Sequence, residues 1–309
     1  MVRGDWQTPL RWLARRHLFP AIEACWAAGF GLAGWATRPG RRARHWAPQH
    51  GQVVIIAPHP DDETAGAGGV AALHVQAGDP LRVVVVTDGG ASRAGGLPRA
   101  EIVRCRAQEV TAAVRILGVR DLICLGLPEG QWDVAPAQVR LAPLLKDAAV
   151  VYLPSCVDYH PEHVRVARLV AGLLQPDQTV RIYELGVPLT PLLVNLVADI
   201  GRVAAIKARA LDTFATQDGA LAPLRRLARY RAALYALPAV EVFWELSAAS
   251  YARVIAAGDW RRSRCPFRGV RERPLTDPLT ALVGRKARTA LRALAQHDGM
   301  PAPVAGDRR

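Results

Sequence analysis

Paired cysteines are missing from this chain. Its five thiols, Cys25, Cys105, Cys124, Cys156 and Cys265, are scattered over 309 residues without a CxxC pair. An odd, unspaced set excludes a disulfide framework and fits reduced thiols, so the catalytic part is expected to be cytoplasmic. A phosphate loop is missing too. Gly66-Ala67-Gly68-Gly69 lacks GxGxxG spacing and follows its strand too late for a tight phosphate turn, which leaves close helix packing as its use. Neither Ser92 nor Ser155 stands in a GxSxG elbow, which excludes serine hydrolysis of that type. Internal repeats and low-complexity tracts are absent, and the basic pair Arg15-Arg16 comes too late for a convincing cleavable signal.

Hydrophobic residues make up 50 % of the chain, enough to bury a substantial core. The formal net charge of +13 is unevenly spread. Residues 1–50 carry 8 basic and 2 acidic groups, residues 252–309 carry 13 and 5, and the middle carries 19 against 20. A near-neutral body with two basic ends places the partner of those ends outside the active site, with anionic lipid the first expectation. The flanks carry no nucleic-acid-binding motif and no basic residues interleaved with aromatics.

Apolar runs at 52–57, 81–87, 121–125, 149–153 and 180–184 alternate with helical patterns at 64–77, 98–117, 136–146 and 161–174. That order predicts an α/β fold, a Rossmann-like, mostly parallel sheet flanked by helices, with helical N- and C-terminal extensions. Residues 191–236 read as mainly helical, with pieces at 207–214 and 223–235, before a short strand at Glu241–Glu245. Three parts follow: a basic and apolar extension over 1–50, a catalytic domain over 51–250, and a basic extension over 251–309 with an amphipathic helix. Linkers are expected at 38–50 and 258–275. The stretch 18–37 is about as long as a membrane span, yet Pro20, Glu23 and small residues interrupt it, so spanning, lying at the interface and packing on the domain all stay open. The helix after Thr276-Asp277-Pro278 has apolar spacing at Leu279, Leu282, Val283, Ala290, Leu291 and Leu294, which suits domain packing at least as well as a membrane.

The chemistry concentrates at two strand ends. His59-Pro60-Asp61-Asp62-Glu63 follows the first strand, and Asp158-Tyr159-His160-Pro161-Glu162-His163 follows the fourth. Either segment alone is an ordinary solvated turn; two sets of donors after separate strands point to one metal. Hydrolytic zinc takes three His or carboxylate ligands and leaves a place for water, a set that His59, Asp62 and His163 supply. Asp61 is the candidate general base. His160, one helical turn before His163, is the candidate donor to the oxyanion or the leaving amine. His and Asp ligands suit several ions, so Zn2+ is expected and Fe2+ is the alternative.

These motifs resemble the PIG-L / LmbE-like family of zinc-dependent N-acetylglucosamine deacetylases, whose (A)HPDDE and HPDH hallmarks stand here as Ala57-Pro58-His59-Pro60-Asp61-Asp62-Glu63 and His160-Pro161-Glu162-His163. The likeness runs over about 51–250, through Thr87-Asp88-Gly89, Arg106-Ala107-Gln108-Glu109, Leu125 to Gly130, Tyr183-Glu184, Asp199-Ile200, Lys207 and Thr216-Gln217. It implies zinc on His59, Asp62 and His163, Asp61 as base, His160 as second catalytic histidine, Arg106 as a sugar contact, and Glu129 as a contact to sugar hydroxyls. A lone helical arginine is otherwise a solvated face. Glu162 replaces the usual aspartate of HPDH, which affects the support behind the histidines. The expected activity is removal of acetate from an N-acetylglucosamine-like sugar, on a glycolipid or glycan intermediate, with peripheral membrane contact through the basic termini at the cytoplasmic face. The alternatives are hydrolysis of another acyl amide, in a thiol conjugate or glycopeptide, and a non-catalytic glycan- or lipid-binding protein on the same scaffold.

Overall fold

Three runs set the middle of the molecule. Val53 to Ala57, Val83 to Val86 and Val150 to Leu153 are exposed by no more than 1 %, and strands buried on both faces belong in a parallel sheet covered by helices on each side. The computed structural model describes residues 43–49, 51–92, 96–158, 160–185, 193–258 and 285–296, with helical positions at 24, 25, 28, 29, 32, 35 and 36. Strands β1 (Arg44–His45), β2 (Gln52–Ala57), β3 (Leu81–Thr87), β4 (Asp121–Leu127), β5 (Ala148–Pro154), β6 (Thr179–Tyr183), β7 (Leu196–Asp199) and β8 (Val240–Ser247) form one sheet. Its order is β1-β7-β8-β6-β5-β2-β3-β4. Only β8 runs against its neighbours, β6 and β7; the other pairs are parallel. The mostly parallel α/β fold expected from the sequence is the one observed.

Helices cover both faces. Alternate residues Val53 and Ile55 join α1 (Asp62–Ala77), α2 (Arg99–Ile116) and α5 (Ala204–Leu211) in one core. Val54 and Ile56 join α3 (Val134–Leu145), α4 (Pro161–Ala171), α7 (Ala248–Ala256) and α8 (Arg285–Gln296) in the other. Helix α8 enters that core through buried Leu291 and Ala295, while Leu294 stays exposed. Among the described residues no helix is long and apolar enough to cross a membrane. Most of the stretch 18–37 lies outside the described residues, as does Cys265; no disulfide joins the described cysteines.

Two local expectations change. Leu196–Asp199 lies within the region read as mainly helical, yet it is the strand β7. Three apolar residues carry no period of their own, and pairing with β8 on one side and β1 on the other decides their state. Arg44–His45, inside the expected 38–50 linker, is the outer strand β1, and the Trp46 indole donates to the Tyr152 hydroxyl at 3.0 Å. Elsewhere the described part of the region holds the helices α5 and α6 (Asp218–Tyr235).

The chain leaves β2 for β3 on one side and returns from β4 to β5 on the other, so the C-terminal ends of β2 and β5 flank the point where strand order reverses. Ligands of open α/β sheets bind there, and both histidine segments start there.

Helix α1 carries the first segment, and its glycines let the sheet take hold of it. A Cβ at Gly66 would collide with the Tyr183 ring, and one at Gly69 would lie 2.7 Å from Ile200 Cγ2. Through the gap at Gly69 the Glu241 carboxylate accepts from the Gly69 N–H at 2.7 Å and the Val70 N–H at 2.8 Å. The Lys207 ammonium pairs with Glu241 at 2.5 Å and donates to the Ala65 carbonyl at 2.9 Å. An ion pair thus grips the helix by its main chain. Glu241→Ala would strand the Lys207 charge, and we expect a loss of about 3–5 kcal/mol, measured as a lower urea midpoint at unchanged m-value.

Candidate active site

Each strand end delivers its side chains through a pinned turn. After β2 the Pro58 carbonyl accepts from the Thr87 N–H at 2.9 Å and its hydroxyl at 2.8 Å, fastening the turn to β3. Asp61 follows at φ 153° and ψ −27°, a conformation that residues with side chains rarely adopt. Strain of this kind persists where surrounding contacts over-determine it. Here the Asp61 N–H donates to Glu63 Oε2 at 3.1 Å, and the Asp61 carbonyl accepts from the Ala65 N–H at 2.9 Å. After β5, Asp158 Oδ1 accepts the His160 N–H at 3.1 Å, and Pro161 opens α4 at a position where its missing N–H costs nothing.

Asp62 is the first residue of α1, and its Oδ2 lies 3.1 Å from His59 Nδ1 and 3.2 Å from His163 Nε2. The far nitrogen of each ring faces another acid. Glu129 Oε1 stands 3.2 Å from His59 Nε2, and Asp158 Oδ2 stands 3.0 Å from His163 Nδ1. These two far contacts have the distance of ion pairs without the alignment of hydrogen bonds. The His160 ring centroid lies 4.5 Å from that of His59 and 4.8 Å from that of His163. Its Nδ1 is buried without a hydrogen-bond partner.

The donor set fits a divalent cation. One ring nitrogen from each of His59, His160 and His163 comes within 4.8 Å of the others. Ligand atoms around a tetrahedral zinc with bonds of about 2.0–2.1 Å are about 3.3 Å apart, close to the 3.1 and 3.2 Å that separate Asp62 Oδ2 from the two imidazoles. A carboxylate behind each histidine is the usual support of a metal-binding ring. Asp158 was not singled out in the sequence; its signal was an acid between the strand and the HxxH pair.

Charges in this space push one another far from their ordinary ranges. Burial opposes a proton on His59, yet Asp62 and Glu129 hold the ring up at about 9. Burial opposes one on His163 as well, and Asp62 with Asp158 holds it well above the usual range. Asp62 is disfavoured as an anion by burial but kept well below the carboxylate range by His163 and His59. Burial would raise Glu129, while its contact with His59 holds it near 2. Burial lifts Asp61 to about 6 against the pull of Arg106, and it lifts Glu63 to about 8. His160 is pressed to about 4 by burial and by the charges on His59 and His163.

Arg106 and Glu129 each touch a residue of the two histidine segments. The Arg106 guanidinium, 4 % exposed, pairs with Asp61 Oδ1 at 3.0 Å and donates to the Pro60 carbonyl at 2.9 Å and the Gly89 carbonyl at 3.2 Å. Gly89 makes room for it at φ 64°, where a Cβ would meet Arg106 Nη1 at 2.6 Å. It is no solvated helix face. Glu129 supports His59 from behind and accepts the Ala91 N–H at 3.0 Å.

Residues 54–174, which contain both histidine segments, match the PIG-L model, GlcNAc-PI de-N-acetylase. Over this stretch the chain is similar to the PIG-L family. It is 29 % identical to a probable N-acetyl-alpha-D-glucosaminyl L-malate deacetylase 2 of Bacillus anthracis, over 40 % of this chain and 58 % of that protein. It is 30 % identical to a 1D-myo-inositol 2-acetamido-2-deoxy-alpha-D-glucopyranoside deacetylase of a Mycobacterium, over 41 % and 51 %. The chain thus spans little more than half the length of these relatives. Among solved structures, the N,N'-diacetylchitobiose deacetylase of Pyrococcus horikoshii superposes with a TM-score of 0.57 at 21 % identity, covering 65 % of this chain and 85 % of that one. The 4-carboxy-2-hydroxymuconate hydratase GalB of Pseudomonas putida does so at 0.52 and 21 %, over 63 % and 95 %. At these identities the two likenesses show the fold alone.

Two ligand sets compete, His59 with Asp62 and His163, and the three imidazoles alone. Metal analysis of purified variants separates them. Asp62→Ala should lose the bound divalent ion and His160→Ala should keep it; the opposite pattern assigns the site to the histidines.

Proposed function

We propose that this chain is a metal-dependent hydrolase that removes the acetyl group from an N-acetylglucosamine-like sugar. The observation that carries the reading is Asp62 Oδ2 shared between His59 and His163, with the strained, Arg106-held Asp61 beside it. The family match and the deacetylase relatives support the substrate class.

A divalent ion on His59, Asp62 and His163 supplies Lewis acidity and makes water a nucleophile near neutral pH. Asp61 takes the proton of the attacking water, and its elevation toward 6 makes it a better base than an ordinary carboxylate while leaving it ionised at pH 7. Arg106 fixes Asp61 Oδ1, so the other oxygen is the one free to accept the proton and hand it to the departing amine. Burial and the charges on His59 and His163 press the His160 ring down to about 4, so it is neutral at pH 7. A neutral imidazole still donates one N–H to the tetrahedral oxyanion. Asp61→Ala should retain the metal and lose acetate release from an N-acetylated sugar by on the order of 10³-fold, with the wild-type rate rising with pH as Asp61 ionises. Wild-type turnover in that variant would remove Asp61 from the role of base.

A narrower reading puts the sugar on a lipid or membrane-associated glycan at the cytoplasmic face. Its support is the charge pattern, +6 and +8 at the ends against −1 in the body. Because β1 begins at Arg44 and belongs to the sheet, the informative truncation removes residues 1–42. The full chain should sediment with vesicles containing anionic lipid and the truncated chain should not. Equal sedimentation of the two, or none by the full chain, would exclude residues 1–42 as the contact.

A further inference from the structure

Glu162 stands where the family pattern has aspartate, and the structure gives it a use apart from the histidines. Its Oε2 accepts the indole N–H of Trp132 at 2.6 Å, and both residues are buried. Arg165, one turn further along α4, lays its guanidinium over the Trp132 ring at 3.7 Å, donates to the Trp132 carbonyl, and approaches Glu162 Oε1 at 3.7 Å. Helix α4 and the loop after β4 are stapled there.

That loop also carries Glu129. Its main chain is fixed by the Glu129 N–H donating to Asp88 Oδ1 at 3.0 Å and by the Gln131 N–H donating to the Pro128 carbonyl at 2.9 Å. The loop therefore joins both histidine segments: at Glu129 it meets His59, and at Trp132 it meets the residue next to His163. We propose that Glu162 is a positioning residue of the metal centre, holding Trp132 so that Glu129 and His163 keep their places around Asp62. An aspartate, one methylene shorter, would leave the indole N–H of a residue exposed by only 3 % without its acceptor.

The inference rests on the metal site proposed above, and the test separates the two. Full-length wild type, Glu162→Asp, Glu162→Gln and Trp132→Phe are titrated with Co(II), with calorimetric affinity and the visible ligand-field spectrum as readouts. Glu162→Gln keeps length and an acceptor and should behave as wild type. Glu162→Asp and Trp132→Phe should bind Co(II) on the order of 10-fold more weakly, with an altered spectrum and an unfolding midpoint that marks a folded chain. If Glu162→Asp matches wild type in affinity and spectrum, the positioning role is wrong and the metal site stands. If wild type itself takes up no Co(II), the metal site fails. Should Trp132→Phe not fold, the Asp and Gln pair still decides the question, because the two differ only in reach and charge.

Discussion

A single carboxylate oxygen holds the site together. Asp62 Oδ2 sits between His59 Nδ1 and His163 Nε2 and also accepts the His59 N–H at 2.9 Å. The two imidazoles come from the ends of neighbouring strands more than a hundred positions apart in sequence, and Asp62 is the atom group they share. Everything around it serves that placement. Residue 62 can reach the gap between β2 and β5 only if α1 starts at once after the turn, and the strained Asp61 backbone is what makes so abrupt a start.

Strain and buried charge are tolerated because the supporting contacts are themselves buried and mutually satisfying. Arg106 answers Asp61 and the two carbonyls beside it. Glu241 and Lys207 hold α1 by its peptide groups, a grip possible only where Gly69 has no side chain. Tyr183, against which Gly66 packs, donates its hydroxyl to the Ile56 carbonyl at 2.7 Å and so ties β6 to the strand that launches the site. The rigidity of the centre comes from the sheet and helix beneath it. A loop alone would not hold donors to within a few tenths of an ångström.

The sequence makes the central strands legible because valine and isoleucine runs buried on both faces leave no other arrangement, and it makes the histidine segments legible because both directly follow such runs. What it hides is contact set by tertiary neighbours. Nothing in Leu196-Val197-Ala198 announces a strand until β8 lies beside it. Glu129 is 70 positions from His59, and Trp132 is 30 from Glu162; neither distance follows a helical or strand period, so neither pair has a local signature. Arg106 resembled an ordinary exposed helix residue because burial of a guanidinium depends on what stands above it, here the Asp61 turn and Gly89.

Charge balance gives the deepest reason for expecting a cation. Asp61, Asp62, Glu129 and Asp158 surround the imidazoles, and Arg106 pairs with Asp61 among them. So many carboxylates in a space of low polarity demand positive charge. Without a metal, protons meet the demand: His59 is held near 9 and His163 well above its usual range, each against the opposition of burial. A divalent ion offers the same two charges at the point where the ring nitrogens and Asp62 already converge, and its binding releases those protons. His160, on which burial and the charges of His59 and His163 outweigh the pull of Asp62 and Glu129, is pressed the other way. The contrast divides three neighbouring imidazoles by environment alone: two whose acids favour positive charge beside them, and one pressed toward its neutral form.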